Sequence, residues 1–190
     1  MTFAPLPPGE FEVVLADPPW SYYGAQDKWG AAAKFYETLS FDELVKLPVR
    51  SLMADRSVLF CWATCPKLDE AIDLVRAWNL HFRGVAFVWV KTTAEGCPIA
   101  AQGVRPSITK PLTEMVIAAS TVRVGRPLPL ASEAVTQTVF APRGIHSVKP
   151  PAVQNAIEVL YPTARKVELF ARSRRPGWTA WGNEIGDDND

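Results

Sequence analysis

Cysteine and histidine are scarce: the 190 residues hold Cys61, Cys65 and Cys97 and two histidines. No CxxC pair is present, so the usual zinc arrangements have too few ligands, and three unpatterned thiols do not make a disulfide framework. They read as buried or incidental thiols of a reducing compartment, and no metal is expected. Long apolar runs are also missing. No stretch approaches the roughly 20 residues of a membrane span, and the opening MTFAPLPPGE has neither a basic end nor an apolar signal core. The expectation is a soluble, unexported, cytoplasmic protein with no membrane partner. Repeats are absent, and the length suits one domain, over residues 1–190, burying roughly 70% of its unfolded surface. Residues 1–10 and 185–190 are expected to be flexible ends.

Net charge is absent too, and its absence is an average. Residues 1–95 carry nine basic against twelve acidic side chains, residues 96–183 carry eleven against four, and the tail adds Glu184, Asp187, Asp188 and Asp190. A basic half inside a neutral chain suits a localised polyanion contact better than general stickiness, although solvated loop charges would give the same count. Arg105, Lys110, Arg123, Arg126, Arg143, Arg174 and Arg175 are the candidates.

Apolar strands and helical patterns alternate along the chain. Strands are expected at 11–16, 57–62, 84–90, 113–119, 137–141, 165–170 and 178–181. Helices are expected from the capping box Ser40/Glu43, from Pro66 onward, and over 150–160. Continuous Val/Ile/Leu/Phe strands separated by helices imply an α/β fold with a mostly parallel sheet covered on both faces. Residues 21–38 and 91–111 are long connections at carboxyl strand ends, where open α/β sheets bind ligands.

The stretch ADPPWSYY (16–23) has no use as a strand, because each proline fixes φ and removes a donor. Its alternative is a rigid turn with Trp20 in the core. As a site, Asp17 points into the crevice, Pro18 and Pro19 stiffen the backbone, and Trp20 offers a stacking plane worth roughly 1–3 kcal/mol to a base. A carboxylate, a fixed carbonyl and a ring suit a planar heterocycle with an exocyclic amine, adenine above all. Such an amine is a poor nucleophile until its two protons are hydrogen-bonded, by Asp17 and by the Pro18 carbonyl. A methyl group on a sulfonium is then displaced in line.

DPPW resembles the catalytic motif of S-adenosylmethionine-dependent amino-methyltransferases. VVLADPPW (13–20), FYETLSFDEL (35–44), LFCWAT (59–64), FVWVKT (87–92), SVKP (147–150), ARKVELFAR (164–172) and GWTAWGNE (177–184) resemble, in order, the blocks of the MT-A70 family of adenine-N(6) methyltransferases, which includes messenger-RNA enzymes and bacterial and phage DNA-modification enzymes. The resemblance implies a Rossmann-like methyltransferase fold in the permuted order, catalytic strand before cofactor strand. It implies S-adenosyl-L-methionine as cofactor and nucleic acid, DNA before RNA, as partner. It places Asp17, Pro18, Pro19 and Trp20 at the reacting centre. Asp17, Lys149, Glu168, Phe170, Arg172, Asn183 and Glu184 fall around the cofactor, with Lys149 on its carboxylate and Asn183 and Glu184 on the ribose. Tyr22, Tyr23, Arg105, Lys110, Arg143, Arg174 and Arg175 fall along the nucleic acid. Arg174 and Arg175 stand where relatives have a His-Asn pair near the cofactor, so they face either phosphate or cofactor. The upstream segment that helps enclose the cofactor's adenine in the eukaryotic enzymes has room here for only about ten residues before the catalytic strand. The alternatives are an RNA methyltransferase and an inactive nucleic-acid-binding scaffold, and intact Asp17 and Trp20 favour catalysis.

Overall fold

The computed structural model describes residues 4–20, 38–100, 108–144 and 148–185. Tyr22, Tyr23 and Arg105 therefore lie outside the described residues. Among the described residues seven strands form one sheet: β1 (Phe11–Ala16), β2 (Met53–Thr64), β3 (His81–Thr92), β4 (Thr113–Ser120), β5 (Thr138–Pro142), β6 (Lys166–Leu169) and β7 (Trp178–Trp181). Their spatial order is β5-β3-β4-β2-β1-β6-β7. Pairing is parallel throughout except at β4, which runs antiparallel to both β2 and β3. The α/β architecture is Rossmann-like. β2 and β3 extend beyond the expected strands because their ends carry polar residues that hide the apolar pattern, such as Asp55 and Arg56 or His81 and Arg83.

Side-chain alternation on β1 divides the core. Val14 and Ala16 join the cluster under α1 (Phe41–Val45) and α2 (Leu68–Ala77), whereas Val13 and Leu15 join the cluster under α3 (Pro151–Leu160). The sheet is thus covered on both faces. Ser40 caps α1 and Glu43 returns the bond, as the capping box requires. Pro66 does not open α2. It sits in a 3-10 turn, Cys65–Lys67, and the helix proper begins at Leu68.

Strand direction decides what stands where. The carboxyl ends of β1, β2, β3, β5, β6 and β7 and the amino end of β4 converge on one edge. That edge collects Asp17, Cys65, Thr92, Glu114, Arg143 and Arg172. Because β4 is reversed, the segment after Ser120 lies at the opposite edge, where Arg83 donates to the Arg123 and Gly125 carbonyls and Arg56 to those of Arg126 and Pro127. Arg123 and Arg126 are therefore far from Asp17, and the basic half of the sequence is not one basic face.

Two glycine and aromatic contacts tie the ends. A Cβ on Gly182 would stand 2.1 Å from the Ala171 carbonyl oxygen, so only glycine allows the β7 end to lie against the chain leaving β6. The Trp181 indole donates to the Ala4 and Pro5 carbonyls, which anchors residues that sequence alone marks as a flexible end. Gly182→Ala should lower stability by about 1–3 kcal/mol, the usual cost of overpacking, read as a lower urea midpoint at unchanged slope.

Candidate active site

β1 ends in the Asp17-Pro18-Pro19-Trp20 turn. The Asp17 amide still donates to Leu169 O on β6, after which the chain leaves the sheet. Pro18 O accepts the Trp20 amide at 2.8 Å and Pro19 O accepts the Leu39 amide at 3.0 Å. The turn is thus pinned without any donor from either proline. A carbonyl has two lone pairs, so Pro18 O keeps one for another donor.

Asp17, Lys149, Glu168, Phe170 and Arg172 line one cavity of about 280 Å³, together with Leu15, Trp62, Gln154 and the chain at Val148–Pro150. These are five of the seven residues that sequence reasoning assigned to the cofactor. Lys149 stands just before α3 and donates through Nζ to Asp17 Oδ2 at 2.9 Å. Its ammonium also lies 3.5 Å from Glu114 Oε2 and 5.5 Å from the centre of the Trp62 ring. Glu114 in turn accepts from Lys91 Nζ at 2.6 Å. Four charges of alternating sign, Asp17, Lys149, Glu114 and Lys91, therefore run across the end of the sheet.

Burial governs the proton affinities. It pushes the Asp17 carboxyl up, and the ammonium of Lys149 offsets only part of that. Burial alone would lower Lys149, but the Asp17 and Glu114 carboxylates outweigh it and hold the ammonium charged. Glu114 is opposed by burial and held below the usual range by Lys149 and Lys91. Glu168 is raised to about 7, by burial first and by the Asp17 carboxylate second. Two acids at the cavity thus bind protons more tightly than in water, and one lysine stays cationic beside them.

Phe170 closes β6 with φ 62°, a conformation that costs a non-glycine residue roughly 1–3 kcal/mol and that aims the chain away from the sheet. Its ring packs edge-on against Trp181, with centroids 5.3 Å apart, and also lines the cavity. Arg172 Nε lies 3.5 Å from Glu184 Oε2. Asn183 and Glu184 themselves are exposed on the rim rather than among the lining residues.

Three sequence readings change. Trp20 does not present an open ring: it is 6% exposed, sits in the core under α1 and α2, and donates Nε1–H to Trp62 O at 3.3 Å. A buried indole needs such a partner, and the strand end is where it finds one. Arg175 does not face outward as a free cation. It makes a two-pronged contact with Glu158, at 2.7 and 2.8 Å, and reaches Asn155, fastening the β6–β7 connection to α3. Arg123 and Arg126 stand at the far edge, as described above. Lys110, Arg143 and Arg174 are exposed, the first two on connections that meet the Asp17 edge. Sequence reasoning missed Glu114, Lys91, Trp62 and Gln154. An acid second in the apolar strand TEMVIAA was the available signal for Glu114, while Gln154 is one polar residue among several on an amphipathic helix.

The MT-A70 family model matches residues 11–184. The chain belongs to the MT-A70 family. It is 34% identical to the type II methyltransferase M.MunI of Mycoplasma sp over 97% of this chain and 82% of that protein. It is 28% identical to human N(6)-adenine-specific methyltransferase METTL4 and 26% identical to human N(6)-adenosine-methyltransferase catalytic subunit METTL3, matching 92% and 93% of this chain. It spans only 37% and 28% of those two proteins.

Two outcomes follow from the burial of Trp20 and Glu168. Trp20→Ala should cost roughly 3–5 kcal/mol of stability in a chemical melt, the penalty of an emptied core site. Glu168 has its folded pKa raised, so the fold favours its protonated form. Its contribution is present below the unfolded carboxyl range and is lost as pH rises from about 4.5 to about 7. Glu168→Gln should remove that loss, leaving the variant more stable than the parent at pH 8, relative to their difference at pH 4.5, by on the order of 3 kcal/mol.

Proposed function

We propose that this chain is an S-adenosylmethionine-dependent methyltransferase that methylates the 6-amino group of adenine in DNA. The adenine-N(6) methyltransferase activity follows from family membership. The observation that carries the reading to a site is the cavity in which Asp17 of DPPW meets Lys149, Glu168, Phe170 and Arg172. DNA is the nucleic acid chosen because the similarity runs over most of a type II methyltransferase but over a minor part of the METTL proteins.

The residues present fit the cofactor by their chemistry. A methionine end carries a carboxylate, an ammonium and a sulfonium, and the cavity offers two cations, Lys149 and Arg172, and two carboxyl groups, Asp17 and Glu168, around an aromatic wall of Trp62 and Phe170. Asn183 and Glu184, on the rim beside Arg172, suit ribose hydroxyls. When bound, the cofactor supplies a methyl group made electrophilic by the sulfonium.

Everything else falls to this chain's own groups. Asp17 accepts one proton of the adenine amine and the free lone pair of Pro18 O accepts the other, so the nitrogen lone pair is released from the ring and turned to the methyl group. Burial makes Asp17 a better proton acceptor than an exposed carboxylate, which suits an amine that grows more acidic as it is alkylated. In the structure Lys149 occupies Oδ2 of that carboxylate, and an anionic ligand group drawn to Lys149 competes with Asp17 for it, leaving the acceptor to the amine. Trp20 acts from beneath: through Trp62 O and the Pro19–Leu39 contact it fixes the height of the turn. Pro18 and Pro19 hold the backbone on which both acceptors stand. The target base must leave its helix to reach this edge, and Lys110, Arg143 and Arg174 are the exposed cations for the flanking phosphates. Tyr22, Tyr23 and Arg105, outside the described residues, are proposed as further nucleic-acid contacts from the family resemblance alone.

Incubation with labelled S-adenosylmethionine and separate pools of DNA, RNA and free nucleosides, followed by nucleoside analysis, should place the label in N(6)-methyladenine of the DNA pool. Label in RNA alone would overturn the substrate, and label in neither would leave the scaffold reading. Asp17→Asn should stay folded and lose about 100- to 1000-fold in turnover, the usual cost of one well-aimed electrostatic partner.

A further inference from the structure

Beside the residues that the DPPW reading uses, the cavity is lined by two further polar side chains, Ser173 and Gln154, and Gln154 is the one bonded to a carboxyl group of the site. Gln154, in the first turn and a half of α3, points to Glu168 on β6, and its Nε2 donates to Glu168 Oε2 at 2.8 Å. One turn further along the same helix, Glu158 takes the Arg175 guanidinium and the Trp178 indole N–H at 2.7 Å, while Asn155 takes a second guanidinium hydrogen. The helix is therefore fastened to the β6–β7 connection and to the start of β7 by the residues that follow Gln154, which sets Gln154 against Glu168.

We propose that Gln154 is a positioning residue of this methyltransferase, holding the Glu168 carboxylate ionised and turned into the cavity for the cationic end of the cofactor. The inference rests on the reading of this cavity as the cofactor site. An amide N–H accepts nothing and gives only to an acceptor, so the bond at 2.8 Å favours the ionised carboxylate over the protonated one. The groups around Glu168 show why such support matters. On β1, Leu15 lies beside it in register and Asp17 beyond opposes its ionisation; on β7, its register neighbour is Ala180. Of the cations lining the cavity, Lys149 meets Asp17 and Glu114 and Arg172 lies by Glu184; Arg175, which favours ionisation of Glu168 weakly, is engaged by Glu158. Gln154 is the neighbour in direct hydrogen-bond contact that favours the charge. With Glu168 raised only to about 7, a modest change in that support decides whether the cavity holds one anion or two near neutral pH.

The test is a carbon-13 carboxyl titration of the whole chain, labelled at glutamate, with the Glu168 signal assigned by its loss in Glu168→Gln. Glu168 should titrate near 7 in the parent. In Gln154→Met, which keeps length and removes the donor, it should titrate roughly one to two pH units higher, the range expected for a lost hydrogen bond to a charge. Gln154→Leu, which also removes the donor without adding a charge, should move it in the same direction, so the inference remains testable if the Met variant folds poorly. Calorimetry at pH 7 should show S-adenosylmethionine binding about five- to fifty-fold weaker in Gln154→Met, as the ionised fraction falls. A merely structural glutamine would leave the titration midpoint unmoved, and that result overturns the proposal. Unchanged cofactor affinity in Glu168→Gln, with the midpoint shifted in Gln154→Met, would instead overturn the cofactor reading of Glu168 while leaving the hydrogen bond's effect on its charge in place.

Discussion

The row Asp17, Lys149, Glu114 and Lys91 organises the end of the sheet that carries the DPPW turn. Charges this well buried are tolerable only when paired, and here each neighbour has the opposite sign. The row crosses four elements: the end of β1, the approach to α3, the start of β4 and the end of β3. Removing one member strands the next, so the composition of the site and the packing of the sheet edge are a single constraint. The same row explains how a carboxylate as buried as Asp17 is held beside a charged ammonium.

Around that row the two cores have different duties. The cluster under α1 and α2 receives Trp20 and so supports the DPPW turn from below, whereas the cluster under α3 holds Trp62 and Trp89, whose rings meet edge-on at 6.1 Å behind the charged row. Val14 and Ala16 belong to the first and Val13 and Leu15 to the second, so the alternation of β1 couples both cores to the DPPW turn that follows it. Arg175 with Glu158 sets α3 against the sheet, which fixes Lys149 at its start and Gln154 one turn in. No helix among the described residues is long and apolar enough to cross a membrane.

Much of this was legible before any coordinates. Strand and helix order follows from apolar runs and two periodicities, the cap at Ser40 from a four-residue pattern, and the family from DPPW and six further blocks in order. The reading weakened wherever a feature depended on direction rather than on pattern. Apolar content does not say that β4 runs backwards, and that reversal carries Arg123 and Arg126 to the far edge and brings Glu114 to the near one. Charge count likewise cannot tell a phosphate-facing arginine from Arg175, whose partner lies on a helix 17 residues earlier.

What the sequence by itself determined is local and chemical: a rigid acid-proline-proline turn after a buried strand, covered strands, a cap, and the residue types that an amino-methyltransferase needs. Those properties belong to spacings of a few residues and to the stereochemistry of proline, so they survive without knowledge of the fold. Only the tertiary structure decided which charges meet. Asp17 and Lys149 are 132 residues apart, and their contact, like the hydrogen bond of Gln154 to Glu168 across helix and sheet, exists because strand order and burial bring them together and exclude the water that would otherwise separate them. The indole of Trp20 makes the same point from the other side. Its place at the end of DPPW was written in the chain, but whether it faced a ligand or the core was settled by the space under β1 and by the Trp62 carbonyl within reach of its N–H.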